Sequence, residues 1–582
     1  MKRFQQLLST LFAFCSLIAI SHNAHAQGIS TLPIIKPVMA CDQLVGQTFS
    51  NVGANVSLTG AKVITSGNKT FCQVKAVISP DIGVEVALPQ QQWTQRILQV
   101  GCGGLCGSIN LSLSNANGCI PATQGEFVVA ATNMGHSGSM MDASWALDPQ
   151  KRVDFAYRAN HLTAKFTKAL TRAYYGQPQK YAYFMGCSDG GREALMEAQR
   201  FPDDFNGISA GAPATYFTVQ NSFYHGWNVV ANQRADGSAI LLKDRLPLLH
   251  QTVLAHCPTL SGVKDGVLAN PFACHFSKSW LKTCAANTSD KSACFTEEEV
   301  NAIDKLYQGA KDASGHQFAV GGLIMGSELR WPVPETAQGS SLSAMMALPA
   351  LQYVLTNDGK KSDITLASFG FDQAAFQRLT KLASLYNATD TNLKPYVESG
   401  GKLILWHGLA DDSINPTGTV AYYRGVEQQL GARRAAQAIK LFLLPGVGHC
   451  GGGEGNDQID LLTPLMAWVE HQQIPQQLLT GKAKASQASQ AAPPPQPKNA
   501  ESAASVQMHG MQRPSSPVAS AAEETRATRP VYAYPYIAVY NGKGDPLQAK
   551  NYHAVRGSYP QTLMGQPVSQ LVAPNNAPQG TP

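Results

Sequence analysis

Tyr181-Ala182-Tyr183-Phe184-Met185-Gly186-Cys187-Ser188-Asp189-Gly190-Gly191-Arg192-Glu193-Ala194-Leu195-Met196-Glu197-Ala198 is the stretch whose reading decides the fold. Its first five residues form a short apolar, aromatic-rich run, the pattern of a buried strand. Gly186 to Gly190 fits G-x-S-x-G, and Gly191 to Ala198 reads as a helix start. Strand, tight turn and helix in that order raise the serine hydroxyl to the helix N-terminus, where a substrate reaches it: a nucleophile elbow. The flanking glycines allow the strained turn and close helix–strand contact. A glycine turn with a merely capping serine is the bland alternative, and the strand before and helix after count against it.

A serine hydroxyl is a poor nucleophile at neutral pH. It needs a base, and the base needs an orienting acid. With an elbow of this kind the chain order is serine, acid, histidine, each on a loop after a strand. The strand Lys402–Trp406 leads into His407-Gly408-Leu409-Ala410-Asp411-Asp412, and the strand Lys440–Leu444 into Pro445-Gly446-Val447-Gly448-His449-Cys450. Ser188, Asp411 and His449 are therefore the candidate catalytic residues, with Asp412 the weaker rival for the acid. His407 ends a strand beside the acid and is expected to line the pocket, and His136 is a candidate substrate contact. An oxyanion hole uses two backbone N–H groups. One is expected from Asp189, after the nucleophile; the other from the turn Gly101-Cys102-Gly103-Gly104 after the strand Arg96–Val100, with Cys102 and Gly103 as candidates. Cys187 precedes the nucleophile and Cys450 follows the base. If Ser188 and His449 come within hydrogen-bond reach, these cysteines are close enough for a disulfide. Two loops each carrying a cysteine beside the required residue make this the most specific signal in the chain.

The rest of the chain bounds the setting. It has 582 residues, 44% hydrophobic and 14% charged, with a net charge of +6. That allows several domain-sized units, excludes global disorder, and gives no basic face for nucleic acid. No stretch after the N-terminus is long and apolar enough to cross a membrane. Lys2 and Arg3, the apolar run Leu7 to Ile20 and Ala24-His25-Ala26 read as a secretory signal peptide cleaved after Ala26. Its removal takes the charge from +6 to +4. The exported chain keeps eleven of its 12 cysteines, an odd number, so most are expected in disulfides with at least one left over. Zinc is disfavoured, since Cys102 and Cys106 lack a second CxxC or HxxxH.

Organisation follows composition. After residues 1–26, residues 27–214 alternate strand and helix patterns, implying a mostly parallel sheet covered by helices. Residues 215–395 lose that rhythm and read as an inserted domain. Residues 396–481 return to it. The stretch 482–527, rich in Ala, Gln, Ser and Pro, reads as a disordered linker. Residues 528–582 regain aromatics and are expected to dock back, with a frayed end.

Gly186-Cys187-Ser188-Asp189-Gly190-Gly191-Arg192-Glu193, Gln199-Arg200-Phe201-Pro202, Gly207 to Pro213, His407 to Asp411 and Pro445 to Cys450 together resemble the tannase/feruloyl esterase family, to which bacterial mono(2-hydroxyethyl) terephthalate hydrolase also belongs. The resemblance covers residues 41–480 and resumes at 528–555. It implies an α/β-hydrolase fold with a large lid inserted after the nucleophile helix. It also implies disulfides Cys187–Cys450, Cys41–Cys72, Cys257–Cys274 and Cys284–Cys294, leaving Cys102, Cys106 and Cys119, of which two can pair.

Three positions depart from the family pattern. Its lids carry a calcium loop with three aspartates; here those positions read Pro258, Ser261 and Asp265. With Asp265 and the carbonyls of Val263 and Val267 as the remaining ligands, the loop is expected to be weakened or empty, and no cofactor is required. The segment Thr528–Tyr532 lacks the cysteine of the terephthalate hydrolase's C-terminal disulfide. The lid arginine that grips a carboxylate there has no clear counterpart, and Ser343 to Leu348 is apolar, which argues against a terephthalate monoester. The expectation is a secreted or periplasmic serine carboxylesterase acting on small esters of aromatic acids, galloyl or feruloyl in type. Ser413 and Ile414 are expected to touch the acyl group. A terephthalate-monoester-type hydrolase, a serine peptidase and a non-catalytic secreted binding protein on a hydrolase scaffold are the alternatives.

Overall fold

A computed structural model describes residues 29–116, 118–318, 321–482, 527–560, 562–563 and 566–567. The expected signal peptide, nearly all of the expected linker and the end of the chain lie outside the described residues. Nine strands form one sheet: β1 (Val56–Ser66), β2 (Lys69–Ile78), β3 (Ile82–Pro89), β4 (Arg96–Val100), β5 (Phe127–Thr132), β6 (Tyr181–Cys187), β7 (Gly207–Gly211), β8 (Lys402–Gly408) and β9 (Ile439–Leu444). Their spatial order is β1-β2-β3-β5-β4-β6-β7-β8-β9. From β5 to β9 all neighbours are parallel. The protein has an α/β-hydrolase fold.

The first three strands differ from the βα alternation expected over 27–214. They form an antiparallel meander that joins the sheet through β3 against β5. The reason is local. Only short turns separate these strands, too short for the crossover that a parallel connection needs.

The parallel strands are short apolar runs because helices cover both faces. Successive side chains alternate between two cores. Ile97, Phe184, Leu403 and Leu405 pack with Leu162, Phe166 and Leu170 of helix α1 (Ala159–Tyr175) and Leu195 of helix α2 (Asp189–Arg200). Leu98, Tyr183, Ile404 and Trp406 pack on the other face, with Leu465, Met466 and Trp468. Each fully buried Leu or Ile contributes roughly 1.5–3 kcal/mol.

Between β7 and β8 the chain leaves the sheet for a largely helical stretch that includes helix α3 (Leu342–Pro349). It has its own core, built on Leu249, Ile303, Leu306 and Trp331. Helix α4 (Pro416–Leu430) follows β8, and helix α5 (Leu462–His471) follows β9. A second sheet orders β10 (Gln458–Ile459), β11 (Gln477–Lys482) and β12 (Ala527–Tyr532), so the chain beyond 527 pairs with the end of the hydrolase fold. It continues as a hairpin, β13 (Tyr536–Tyr540) and β14 (Tyr552–Arg556), whose Tyr540 amide donates to the Ser261 carbonyl at 2.8 Å.

Register positions the site. Cys187 pairs with Gly211, Gly211 with Trp406, and His407 with Leu443. The carboxyl ends of β6, β7, β8 and β9 are thus level, and the loops that leave them converge at one edge, where open α/β sheets bind ligands.

Candidate active site

The elbow needs its glycines. A Cβ on Gly186 would overlap the Gly190 carbonyl, and one on Gly191 the Gly211 carbonyl. Ser188 takes φ +67° and ψ −122°, a conformation rare for a residue with a side chain and costing of order 1–3 kcal/mol. Its amide donates to Gly211 O at 3.0 Å, which ties the turn to β7.

Asp411 is fully buried and saturated with donors. Oδ1 accepts from the amides of Ser413 and Ile414 at 2.8 and 2.9 Å. Oδ2 lies 2.8 Å from His449 Nδ1 and 3.1 Å from His407 Nε2. Burial alone would raise the Asp411 carboxyl. The His449 charge and the bonds from both histidines outweigh that and hold it well below the usual carboxylate range. Burial would likewise lower His449, but the charge and hydrogen bond of Asp411 raise it above its ordinary value. Asp412, the rival acid, instead lies 3.6 Å from Arg330 Nε, and burial pushes it up to about 6.

Ser188 and His449 line one cavity with Gly104, Asp189, Ser413 and Ile414. Cys187 and Cys450 are disulfide-bonded with Cα atoms 5.9 Å apart, so the Ser188 turn and the His449 loop are covalently joined. Further bonds link Cys41–Cys72, Cys257–Cys274, Cys284–Cys294 and Cys102–Cys106; Cys119 is a buried free thiol.

Three sequence expectations are corrected. His407 is fully buried and is not among the residues that line the cavity. Its Nε2 faces two acceptors, Asp411 Oδ2 and Ile414 O at 3.0 Å, so the proton sits there; Nδ1 accepts from the Thr419 hydroxyl at 2.8 Å. His407 therefore holds the acid. The Cys102 amide points at Glu193 Oε1, 3.3 Å away, and is spent there, which leaves Gly103 and Gly104 in that turn. Among the described residues the Asp189 amide, the first of its helix, has no protein acceptor. The Asp189 carboxylate is taken by Arg192, at 2.6 and 3.0 Å. His136 is buried; its Nε2 bonds Leu105 O at 2.8 Å and its ring stacks on Trp145, so it braces the turn from behind.

The rest of the cavity wall is Ala214, Phe217, Gln220, Asn221 and His225 after β7, which the sequence did not single out, and Leu342 and Met346 from α3, of which Met346 falls in the apolar run Ser343 to Leu348. They lie on segments whose helical register the sequence pattern did not fix.

The calcium loop does not fit a cation. Val263, Asp265 and Val267 share one turn, but Asp265 Oδ2 is 2.6 Å from Arg529 Nη2 and Oδ1 accepts the Val267 amide at 3.3 Å. The Val263 carbonyl accepts from Ser261 Oγ. A guanidinium already neutralises the one carboxylate, whereas calcium takes six to eight oxygen ligands. Elsewhere His161, Glu197 and Asp204 lie close together, but Asp204 is occupied by His161 and Lys168.

The family model "Tannase and feruloyl esterase" matches residues 61–555. The chain belongs to the tannase and feruloyl esterase family. It is a carboxylic ester hydrolase. A probable feruloyl esterase of Arthroderma benhamiae is 31% identical over 444 residues, covering 72% of this chain and 79% of its own. The mono(2-hydroxyethyl) terephthalate hydrolase of Piscinibacter sakaiensis is 27% identical over 474 residues, covering 70% and 77%. The crystal structure of feruloyl esterase B from Aspergillus oryzae superposes with a TM-score of 0.72 at 21% identity, covering 88% of this chain and 99% of that one, which speaks to the fold.

Proposed function

We propose that the protein is an exported serine esterase for esters of aromatic, phenolic acids. The observation that carries this reading is the buried Asp411–His449 pair opening onto the same cavity as Ser188. In this mechanism Ser188 Oγ attacks the ester carbonyl while His449 Nε2 takes its proton. Asp411 orients the ring through Nδ1 and stabilises the imidazolium. The amide of Asp189 and the Gly103–Gly104 turn receive the oxyanion. His449 then protonates the leaving alcohol, and water, activated by His449, releases the acid.

The aromatic acyl group is supported by the apolar side of the cavity, where Phe217, Leu342, Met346 and Ile414 offer a planar ring a dry slot, and by the substrates in the relatives' names. Export is supported by the signal-like N-terminus and by five disulfides, which persist in oxidising compartments.

The test is purified mature protein against methyl gallate, methyl ferulate, methyl p-coumarate, mono(2-hydroxyethyl) terephthalate, p-nitrophenyl butyrate and an amide of ferulic acid, with Ser188→Ala alongside. Hydrolysis of an aromatic ester, lost in the variant and absent for the amide, is expected. Silence across the panel, or turnover that survives Ser188→Ala, refutes the reading.

A further inference from the structure

The polar end of the cavity has a defined sign. Gln220 Nε2 donates to the Ser413 carbonyl and lies 3.3 Å from His225 Nε2. A carbonyl only accepts, so the group there is the amide NH2 and not the oxygen. An NH2 beside His225 Nε2 requires that nitrogen to accept as well. The single proton of the neutral ring therefore sits on Nδ1 and is donated to Ser343 Oγ at 3.1 Å. His225 and Ser343 are both buried, and burial, followed by the charge on His449, pushes the imidazole down to about 3.

This chain of bonds fixes the other end of Gln220. Its Oε1 accepts from no donor among the described residues, and the nearly buried side chain lines the cavity. Asn221 repeats the pattern. Nδ2 donates to the Phe217 carbonyl at 3.3 Å, which leaves Oδ1 without a donor on the same wall. Each of these two adjacent side chains thus presents a carbonyl acceptor to whatever enters beyond the apolar ring slot.

We propose that Gln220 Oε1 and Asn221 Oδ1 select acyl rings that carry a hydroxyl donor, with His225 and Ser343 as positioning residues that hold the Gln220 amide in this orientation. The proposal rests on the esterase reading above and adds to it the chemistry of the ring. A phenolic O–H satisfies the acceptors. An unsubstituted ring strands them in a dry pocket, and sites built to bond a substrate hydroxyl reject analogues that lack it. A methoxyl in its place offers only another acceptor. A ring carboxylate would set a negative charge against two carbonyl oxygens.

The experiment compares kcat/KM for methyl p-coumarate, methyl cinnamate and methyl 4-methoxycinnamate with the unmodified enzyme. The expected preference for p-coumarate over either analogue is at least about 10-fold. Gln220→Met and Asn221→Leu should each bring the ratio down toward one, and His225→Phe should lower it as well. A merely structural role for His225 would depress all three esters together and leave the ratio in place, which overturns its assignment. Ser188-dependent hydrolysis of all three esters at equal rates by the unmodified enzyme overturns the proposal and leaves the esterase reading standing. Silence on all three and on the wider phenolic panel overturns both. Because the decisive ratio is read on the unmodified protein, a variant that fails to fold does not protect the idea.

Discussion

Replacing His407 with Leu tests how the acid is held. The imidazole is fully buried and donates from Nε2 to Asp411 Oδ2 at 3.1 Å and to Ile414 O at 3.0 Å. Leu removes both donations at similar volume. A hydrogen bond to a charged group is worth roughly 1.5–3 kcal/mol. If the whole of that is lost from the transition state, where the Asp411 charge faces a His449 cation, kcat/KM falls by roughly ten- to 150-fold at 1.36 kcal/mol per decade. A second effect separates this from general damage. An Asp411 with one donor fewer is the stronger partner for His449, whose pKa is already raised above its ordinary value by Asp411. The base must be neutral to act, so activity is lost as pH falls through the His449 pKa, and in His407→Leu that acid limb should move to higher pH. Thr419→Val removes only the bond into His407 Nδ1 and should cost less on both measures. The assay is a kcat/KM profile on a chromogenic aryl ester, with circular dichroism to confirm folding. A folded His407→Leu enzyme within twofold of the parent, with an unmoved acid limb, would refute the role given to His407.

Glu193 is buried, and burial first, then the Asp189 charge, raises its carboxyl to about 8. The folded state therefore binds more protons than the unfolded one between the ordinary value near 4.5 and about 8, and stability should fall as pH rises through that window. Glu193→Gln should flatten the loss in urea melts, and an identical pH dependence in the variant would contradict it. For the lid turn, EDTA and added calcium are both expected to leave Tm unchanged, whereas Arg529→Ala, which strips the partner from Asp265, should lower it; a calcium-dependent rise in Tm of the unmodified protein would overturn this. Removing Cys187–Cys450 by double Ser substitution opens a cross-link of sequence separation 263, for which chain entropy gives an upper estimate of roughly 5.5 kcal/mol. A loss below about 1 kcal/mol in denaturant unfolding would mean the two loops are held by packing alone.

How much was legible in the sequence follows from how local each constraint is. The elbow could be read because Gly186 and Gly191 are each pressed against backbone that no side chain could share, so the geometry is written into residue identity. Asp411 and His449 followed because each leaves a parallel strand at the same edge. The meander of β1 to β3 was missed although a signal existed: Gly67-Asn68 and Ser79-Pro80-Asp81 are connections too short for the crossover that parallel strands need. His407 was misplaced although a signal existed. Side chains alternate along β8, Trp406 belongs to the core beneath α5, and His407 must then turn toward α4, where Thr419 meets it. The odd cysteine count required a leftover thiol but could not name Cys119. Only the fold shows Cys102 and Cys106 spanning one glycine turn while Cys119 is buried apart from them. The Gln220–Asn221 wall had no local mark, because its meaning lies in which amide end each carbonyl engages.

That wall and the acid share one piece of backbone. The amides of Ser413 and Ile414 hold Asp411 Oδ1, while the Ser413 carbonyl takes the Gln220 amide. A ring that pulls on Gln220 Oε1 is therefore coupled through a single peptide to the carboxylate that orients His449. Asn221 lacks that link, because its amide is anchored on the Phe217 carbonyl. The two acceptors should then separate kinetically. Gln220→Met is expected to lower kcat and raise KM together, and its effect should be less than additive with His407→Leu, since both loosen the same Asp411 loop. Asn221→Leu should act mainly on KM and add to His407→Leu in full. Strict additivity for both pairs would mean that recognition and acid positioning are independent and that the shared peptide at Ser413 transmits nothing.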